Sequence, residues 1–134
     1  MTLHEYRQSK AEQERTNNIL PLVSYHGDIA LDIGARDGHF STLLTRNYSK
    51  VIALDLKKPD IHNSKVECVE GDVTNLSYPD NYFDLVFCAE VLEHIPCELL
   101  SKACDELARV TKKQLIIGKE RKSNNSVPIE ENLI

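Results

Sequence analysis

The chain has 134 residues, with sixteen Lys and Arg against twenty-one Asp and Glu and a formal charge of −5. That length fits one domain, a core of about five or six strands with covering helices. At 41% hydrophobic and 28% charged it is too apolar for disorder and too polar for a membrane protein, and its acidity removes any general pull towards nucleic acid or anionic lipid.

Residues 1–22 carry good helix formers with sparse apolar positions (Leu3, Tyr6, Ala11, Ile19, Leu20), which predicts a surface helix stopped by Pro21 and lying across something. Its polar beginning is no signal peptide, and the longest apolar runs, Val51–Leu54 and Leu115–Ile117, are far below the ~20 residues of a membrane span. Both point to the cytoplasm. Asp28–Gly34 reads as a buried strand entering a glycine turn, and Phe40, Leu43 and Leu44 are spaced as a helix ending near Asn47. Lys50–Asp55 is a second strand, and the alternating Val66–Glu70 a third, nearer an edge.

After the turn Pro79–Asn81 comes a fourth strand, Asp84–Cys88. A helix follows from about Pro96, with Leu100, Ala103, Cys104, Leu107 and Ala108 on its apolar face and Lys102, Asp105, Glu106 and Arg109 turned away. Gln114–Ile117 is the fifth strand, and residues 119–134, with Ser123–Ser126 and Pro128, read as a loose polar tail behind a main domain of residues 23–118. Alternating strands and helices predict an α/β fold: a doubly wound, mostly parallel sheet of about five strands, with helices on both faces. Cys68, Cys88, Cys97 and Cys104 form no Cys-x-x-Cys pair, and His4, His26, His39, His62 and His94 are scattered. No metal site is expected.

In such sheets ligands bind beyond the carboxyl ends of the strands. Acids stand at those ends: Asp32 in Asp32–Gly38, then Asp55, then Asp72 before Val73, then Glu90 after Ala89. Four carboxylates repel a pyrophosphate and suit a donor-rich, cationic adenosyl ligand, while Gly34 and Gly38 let the main chain pass close beneath it. Here the chain resembles the S-adenosylmethionine-dependent methyltransferases of the Rossmann-like class, particularly the type 11 and ubiquinone-type group. Ala30–Ser41 looks like their glycine motif, Asp55 like the acid that holds the ribose hydroxyls, and Asp72–Val73 like the pair that meets the adenine edge. Phe83–Ile95 is similar to the fourth-strand segment, and Leu107–Gly118 to the segment from helix into fifth strand. The resemblance implies the strand order 3-2-1-4-5 and S-adenosyl-L-methionine as cofactor, held by Asp32, Gly34, Ala35, Arg36, Gly38, Asp55, Leu56, Asp72, Val73, Cys88 and Glu90.

Three departures accompany it. Arg36 replaces the family's middle glycine, and we expect its guanidinium to pair with the cofactor's carboxylate. Only sixteen residues separate Asp55 from Asp72, so the crossover helix is short or absent. No strands corresponding to the family's last two follow the fifth, which predicts an open edge there for a second copy or a partner subunit. The acceptor, a small molecule or a protein side chain, is unmarked, because a sulfonium-activated methyl needs alignment more than a base. Glu90, Glu93 and His94 stand where it would sit. Pro96–Cys97 matches only the nucleophile pair of cytosine-C5 enzymes, without their surroundings, and a nicotinamide dehydrogenase would need a Tyr-x-x-x-Lys pair that this sequence lacks. A non-catalytic, cofactor-binding or partner-binding module is the alternative from another class.

Overall fold

A computed structural model describes residues 2–23, 26–118 and 130–133. Five parallel strands form the centre: β1 (Gly27–Ile33), β2 (Tyr48–Asp55), β3 (Val66–Glu70), β4 (Phe83–Ala89) and β5 (Thr111–Gly118). Their spatial order is β3-β2-β1-β4-β5, as the family resemblance implies. Helices α1 (Leu3–Gln8) and α2 (Lys10–Ile19) precede the sheet, α3 (His39–Leu44) joins β1 to β2, and α4 (Cys97–Val110) joins β4 to β5. No helix among the described residues is long and apolar enough to cross a membrane.

Period-two alternation divides the strand residues between two cores. Leu31, Ile33, Leu54, Val86 and Ile117 pack with Ala103, Leu107 and Val110 of α4 on one face. Ala30, Val51, Leu85, Phe87 and Ile116 pack on the other with Ile19 of α2 and with Phe40 and Leu44 of α3. Helices thus cover both faces, as a doubly wound sheet requires. Residues 56–65, between β2 and β3, contain no helix, in keeping with the short spacing there.

Four details differ from the sequence reading. The N-terminal segment is two helices, broken at Ser9, whose backbone is extended and whose hydroxyl caps α2 by accepting the Glu12 N–H at 3.2 Å. Nor is it confined to the surface, since Glu12, Arg15, Thr16 and Ile19 are buried. The buried stripe of α4 is Ala103, Leu107 and Val110, while Leu100, Cys104 and Ala108 are exposed. Arg109 and Glu106 do not simply face water. Arg109 donates to the carbonyls of Tyr78 (2.6 Å) and Leu76 (2.9 Å), and Glu106 accepts the Leu76 N–H (2.8 Å), which pins the loop before β4. Finally, β6 (Glu130–Leu133) pairs antiparallel with β5. The expected tail therefore contains a strand, and the expected open edge at β5 is taken. The rest of that stretch, residues 119–129 and Ile134, lies outside the described residues.

Candidate functional site at the strand ends

Beyond the carboxyl ends of β1–β4 lies a cleft of about 280 Å³, close to the lower end of small-molecule pockets. Its walls include Gly34 and Arg36 after β1, Asp55 and Leu56 at the end of β2, Asp72 and Val73 after β3, and Glu90 after β4. A small inner pocket of about 20 Å³ opens beside it, bordered by Asp32, Ala35, Phe87 and Arg7, and shares Gly34, Arg36 and Glu90 with the cleft. The topology explains the convergence. Parallel neighbours all end on one rim, so loops distant in sequence meet there.

Gly34 has φ +74°, and a Cβ there would collide with the Val91 side chain. The turn needs glycine both for its left-handed backbone and for close approach. Arg36, at the position of the family's second glycine, also has a positive φ (+51°). Its strained backbone is held by a hydrogen bond, the Arg36 N–H donating to Asp55 Oδ2 at 3.1 Å. The Leu56 N–H donates to Asp55 Oδ1 at 2.8 Å. Each Asp55 oxygen thus keeps a lone-pair direction open to the cleft, because a carboxylate accepts about four hydrogen bonds. Asp72 spends Oδ1 on the Thr74 N–H (2.9 Å) and hydroxyl (2.8 Å), and these bonds hold its pKa below the ordinary carboxylate value.

Asp32 is not at the rim. It lies inside β1, 2% exposed, and accepts the Ser41 hydroxyl at 2.5 Å. Burial raises its pKa from 3.8 to about 7, with the Ser41 bond opposing. It faces only the inner pocket. Cys88 meets neither cavity: it is fully buried in the core beneath α4, and burial pushes its thiol pKa up. The strand runs one residue further than expected, to Ala89, so the turn begins at Glu90. Gly38 is likewise outside both cavities. It caps the start of α3 with φ +83°, packed against Ile61. The other predicted site residues do gather, Ala35 at the inner pocket and the rest along the cleft.

Sequence reasoning missed the contribution of the N-terminal helices. Arg7 borders the inner pocket, pairs with Glu12 and reaches Asp37 of the glycine loop at 3.2 Å. Thr16 lies 3.0 Å from His39 Nε2. Arg15, its side chain 4% exposed, forms an ion pair with Glu90. A guanidinium buried that deeply is costly unless paired, so α2 is fixed to the loop after β4. The only sequence signal was residue type: charged side chains on a helix whose apolar positions are too few to seat it. His94 lines the cleft, with Nε2 at 3.8 Å from Glu93, which does not.

The inner pocket brings two cations, Arg7 and Arg36, together with two acids, Asp32 and Glu90. Such a set suits the charged groups of a zwitterionic amino acid standing at the mouth of this pocket, which itself has room for about one water, and Asp55 in the adjoining cleft suits vicinal hydroxyls. The donor set therefore fits an adenosyl amino acid.

Residues 31–117, more than half of the chain, match the family described as a methyltransferase domain. The ubiquinone biosynthesis O-methyltransferase of Albidiferax ferrireducens is 27% identical over 94 residues, which is 62% of this chain and 36% of that protein. Among solved structures, the N-methyltransferase NodS from Bradyrhizobium japonicum, in complex with S-adenosyl-L-homocysteine, superposes with a TM-score of 0.73. It is 22% identical, over 84% of this chain and 64% of that one. The cyclase SpnF superposes with a TM-score of 0.68 at 20% identity, over 87% of this chain and 48% of that one. The chain spans less than half the length of the curated relatives it matches. From the glycine loop to the fifth strand, the sequence and the fold agree that this chain belongs to the methyltransferase domain family.

Proposed function

We propose that the chain binds S-adenosyl-L-methionine in the cleft, its amino-acid end turned towards the inner pocket, and transfers its methyl group to a small-molecule or protein acceptor in the cytoplasm. The observation that carries this reading is Asp55, whose two oxygens are aimed by the N–H groups of Arg36 and Leu56 while keeping acceptor directions open to the cleft. In this reading Asp55 receives both ribose hydroxyls. Asp72 Oδ2, which takes no hydrogen bond among the described residues, receives the adenine amine, and the Val73 N–H meets a ring nitrogen. Arg7 and Arg36 face the carboxylate of the amino-acid end, with Asp32 and Glu90 on its ammonium. NodS supports the assignment, since it shares the fold and holds the demethylated form of this cofactor.

When bound, the cofactor supplies a methyl carbon activated by a sulfonium. What the chain adds is alignment and exclusion of water, worth about 7–11 kcal/mol of barrier in favourable cases. Gly34 and Val91 make the floor beneath the reacting region, and Ile95, Pro96 and Leu99 form an apolar wall on the α4 side. His94 on that wall is the group best placed to take a proton from an acceptor.

Calorimetric titration with S-adenosyl-L-methionine and S-adenosyl-L-homocysteine tests binding, and transfer of a radiolabelled methyl to a cell extract tests catalysis. Micromolar binding with labelled product is the expected result. Binding without transfer would favour a cofactor-holding module, and no binding of either compound would end the reading.

A further inference from the structure

Asp32 sits on the central strand β1, opposite Ala53 of β2 and Phe87 of β4, and its carboxylate is confined to the interior. Its only hydrogen-bond partner among the described residues is a neutral one, the Ser41 hydroxyl of α3. Around it stand Arg7 of α1, Asp37 of the glycine loop, Asp55 at the end of β2 and, on β4, the Cys88 thiol that burial keeps neutral. Arg36 and Glu90 share its pocket. Most of these charges are already answered. Arg7 pairs with Glu12 and Asp37, and Glu90 pairs with Arg15. The Arg36 guanidinium is half exposed and stands 4.0 Å from Glu90. Asp55 accepts two main-chain N–H groups. Of the two acids that border the inner pocket, Glu90 is neutralised by an ion pair and Asp32 has none among the described residues. A buried carboxylate without a counter-charge takes up a proton rather than stay charged, and burial lifts Asp32 from 3.8 to about 7.

We propose that Asp32 couples cofactor binding to proton release: neutral in the free protein, it passes its proton to solvent when the cofactor's ammonium reaches the mouth of the inner pocket. The inference rests on the cofactor reading above, which turns the amino-acid end towards this pocket. Three effects compete for the sign. The ammonium favours the ionised form. At about 5 Å, roughly one water away, a unit charge at an effective dielectric of about 20 shifts the equilibrium by about two orders of magnitude. The cofactor's carboxylate opposes this, but in that reading it faces Arg7 and Arg36, whose charges offset it. Loss of water opposes it too, yet a side chain 2% exposed has little water left to lose. Ionisation therefore prevails. Cofactor affinity rises with pH until Asp32 is ionised in the free protein as well.

Calorimetric titration of S-adenosyl-L-homocysteine into the full chain, in two buffers of different ionisation enthalpy, counts the protons released. At about pH 6 the wild type should release nearly one proton, and at about pH 8 almost none. Affinity should rise several-fold between about pH 5 and pH 6 and be level above about pH 8. Asp32→Asn cannot ionise and should abolish both the release and the rise. Adenosine, which fills only the nucleoside half, should bind without releasing a proton. A wild type that binds S-adenosyl-L-homocysteine with no proton released near pH 6 overturns the proposal. Release of the same size by Asp32→Asn also overturns it, by assigning the proton to another group. Release with adenosine does so by assigning it to the outer cleft. If Asp32→Asn does not fold, the comparison with adenosine decides alone. A wild type that binds neither compound overturns the cofactor reading itself, and this inference with it.

Discussion

The two halves of the site are built in opposite ways. The outer cleft is assembled from short stretches at the ends of β2 and β3, where Asp55 and Asp72 are aimed by main-chain or side-chain donors no more than two residues away, apart from the Arg36 N–H. The inner pocket is assembled from remote pieces: Arg7 from α1, Asp32 from inside β1 and Glu90 after β4, joined through Arg15 of α2 and Asp37. Local turns suffice to aim an acceptor at a neutral, donor-rich ligand half. Placing opposite charges in a buried space requires partners from elsewhere, because an isolated buried charge is prohibitively costly. Substitutions in the outer half should therefore change binding while sparing the fold, and those in the inner half should change both.

The largest effect tests the outer half. Asp55→Ala removes two hydroxyl acceptors from a charged group, each worth about 1.5–3 kcal/mol, so cofactor affinity should fall by about two orders of magnitude or more. The Arg36 and Leu56 N–H groups it releases lie in an exposed setting where water can replace it, so the melting temperature should move little. Calorimetry and a thermal melt on one preparation check both halves of the expectation. Retained micromolar affinity would remove Asp55 from the site.

The inner half should answer through stability. Burial raises Asp32 to about 7 from an ordinary 3.8. Between those values the folded chain keeps a proton that the unfolded chain has released. The stability this provides is complete below about pH 4 and is lost as pH rises through about 7, at about 1.4 kcal/mol per pH unit. Asp32→Asn cannot ionise, yet its amide oxygen can still accept from Ser41. Denaturant unfolding should therefore show Asp32→Asn gaining on the wild type by a few kcal/mol between pH 4 and 7, with the gap constant above about pH 8. A gap independent of pH would mean that Asp32 is ionised throughout and that the inner pocket is wetter than its burial implies.

The same division explains what the sequence revealed. The parallel pairing of the strands follows from alternating hydrophobic periods and crossover handedness, both local or nearly local signals, whereas their order came with the family resemblance. Asp55, Asp72 and Val73 could be placed at the cleft because each sits where a strand meets its loop. Cys88 was misplaced because the end of a strand is uncertain by a residue or two, and one residue separates a core side chain from a rim one. Arg15 and Arg7 were not readable as site residues, since nothing in a polar helix states which distant carboxylate its cations will meet. The strand Glu130–Leu133 was missed for a related reason. Its pairing depends on an available neighbour, β5, rather than on its own composition.

The smallest effect returns to the cleft and concerns which base it accepts. Asp72 Oδ1 is occupied by Thr74, and Oδ2 is the acceptor left for an exocyclic amine. In Asp72→Asn the amide oxygen can keep the Thr74 bonds while the amide nitrogen turns towards the cleft, which exchanges an acceptor for a donor. Adenosine, which presents an amine, should lose about tenfold or less in affinity, on the scale of one hydrogen bond at a partly exposed site. Inosine, which presents a carbonyl at the same position, should gain. Competitive displacement of labelled S-adenosyl-L-homocysteine by each nucleoside measures both changes. An equal loss for the two would show that Asp72 only shapes the loop through Thr74, and would leave Val73 as the reader of the base edge.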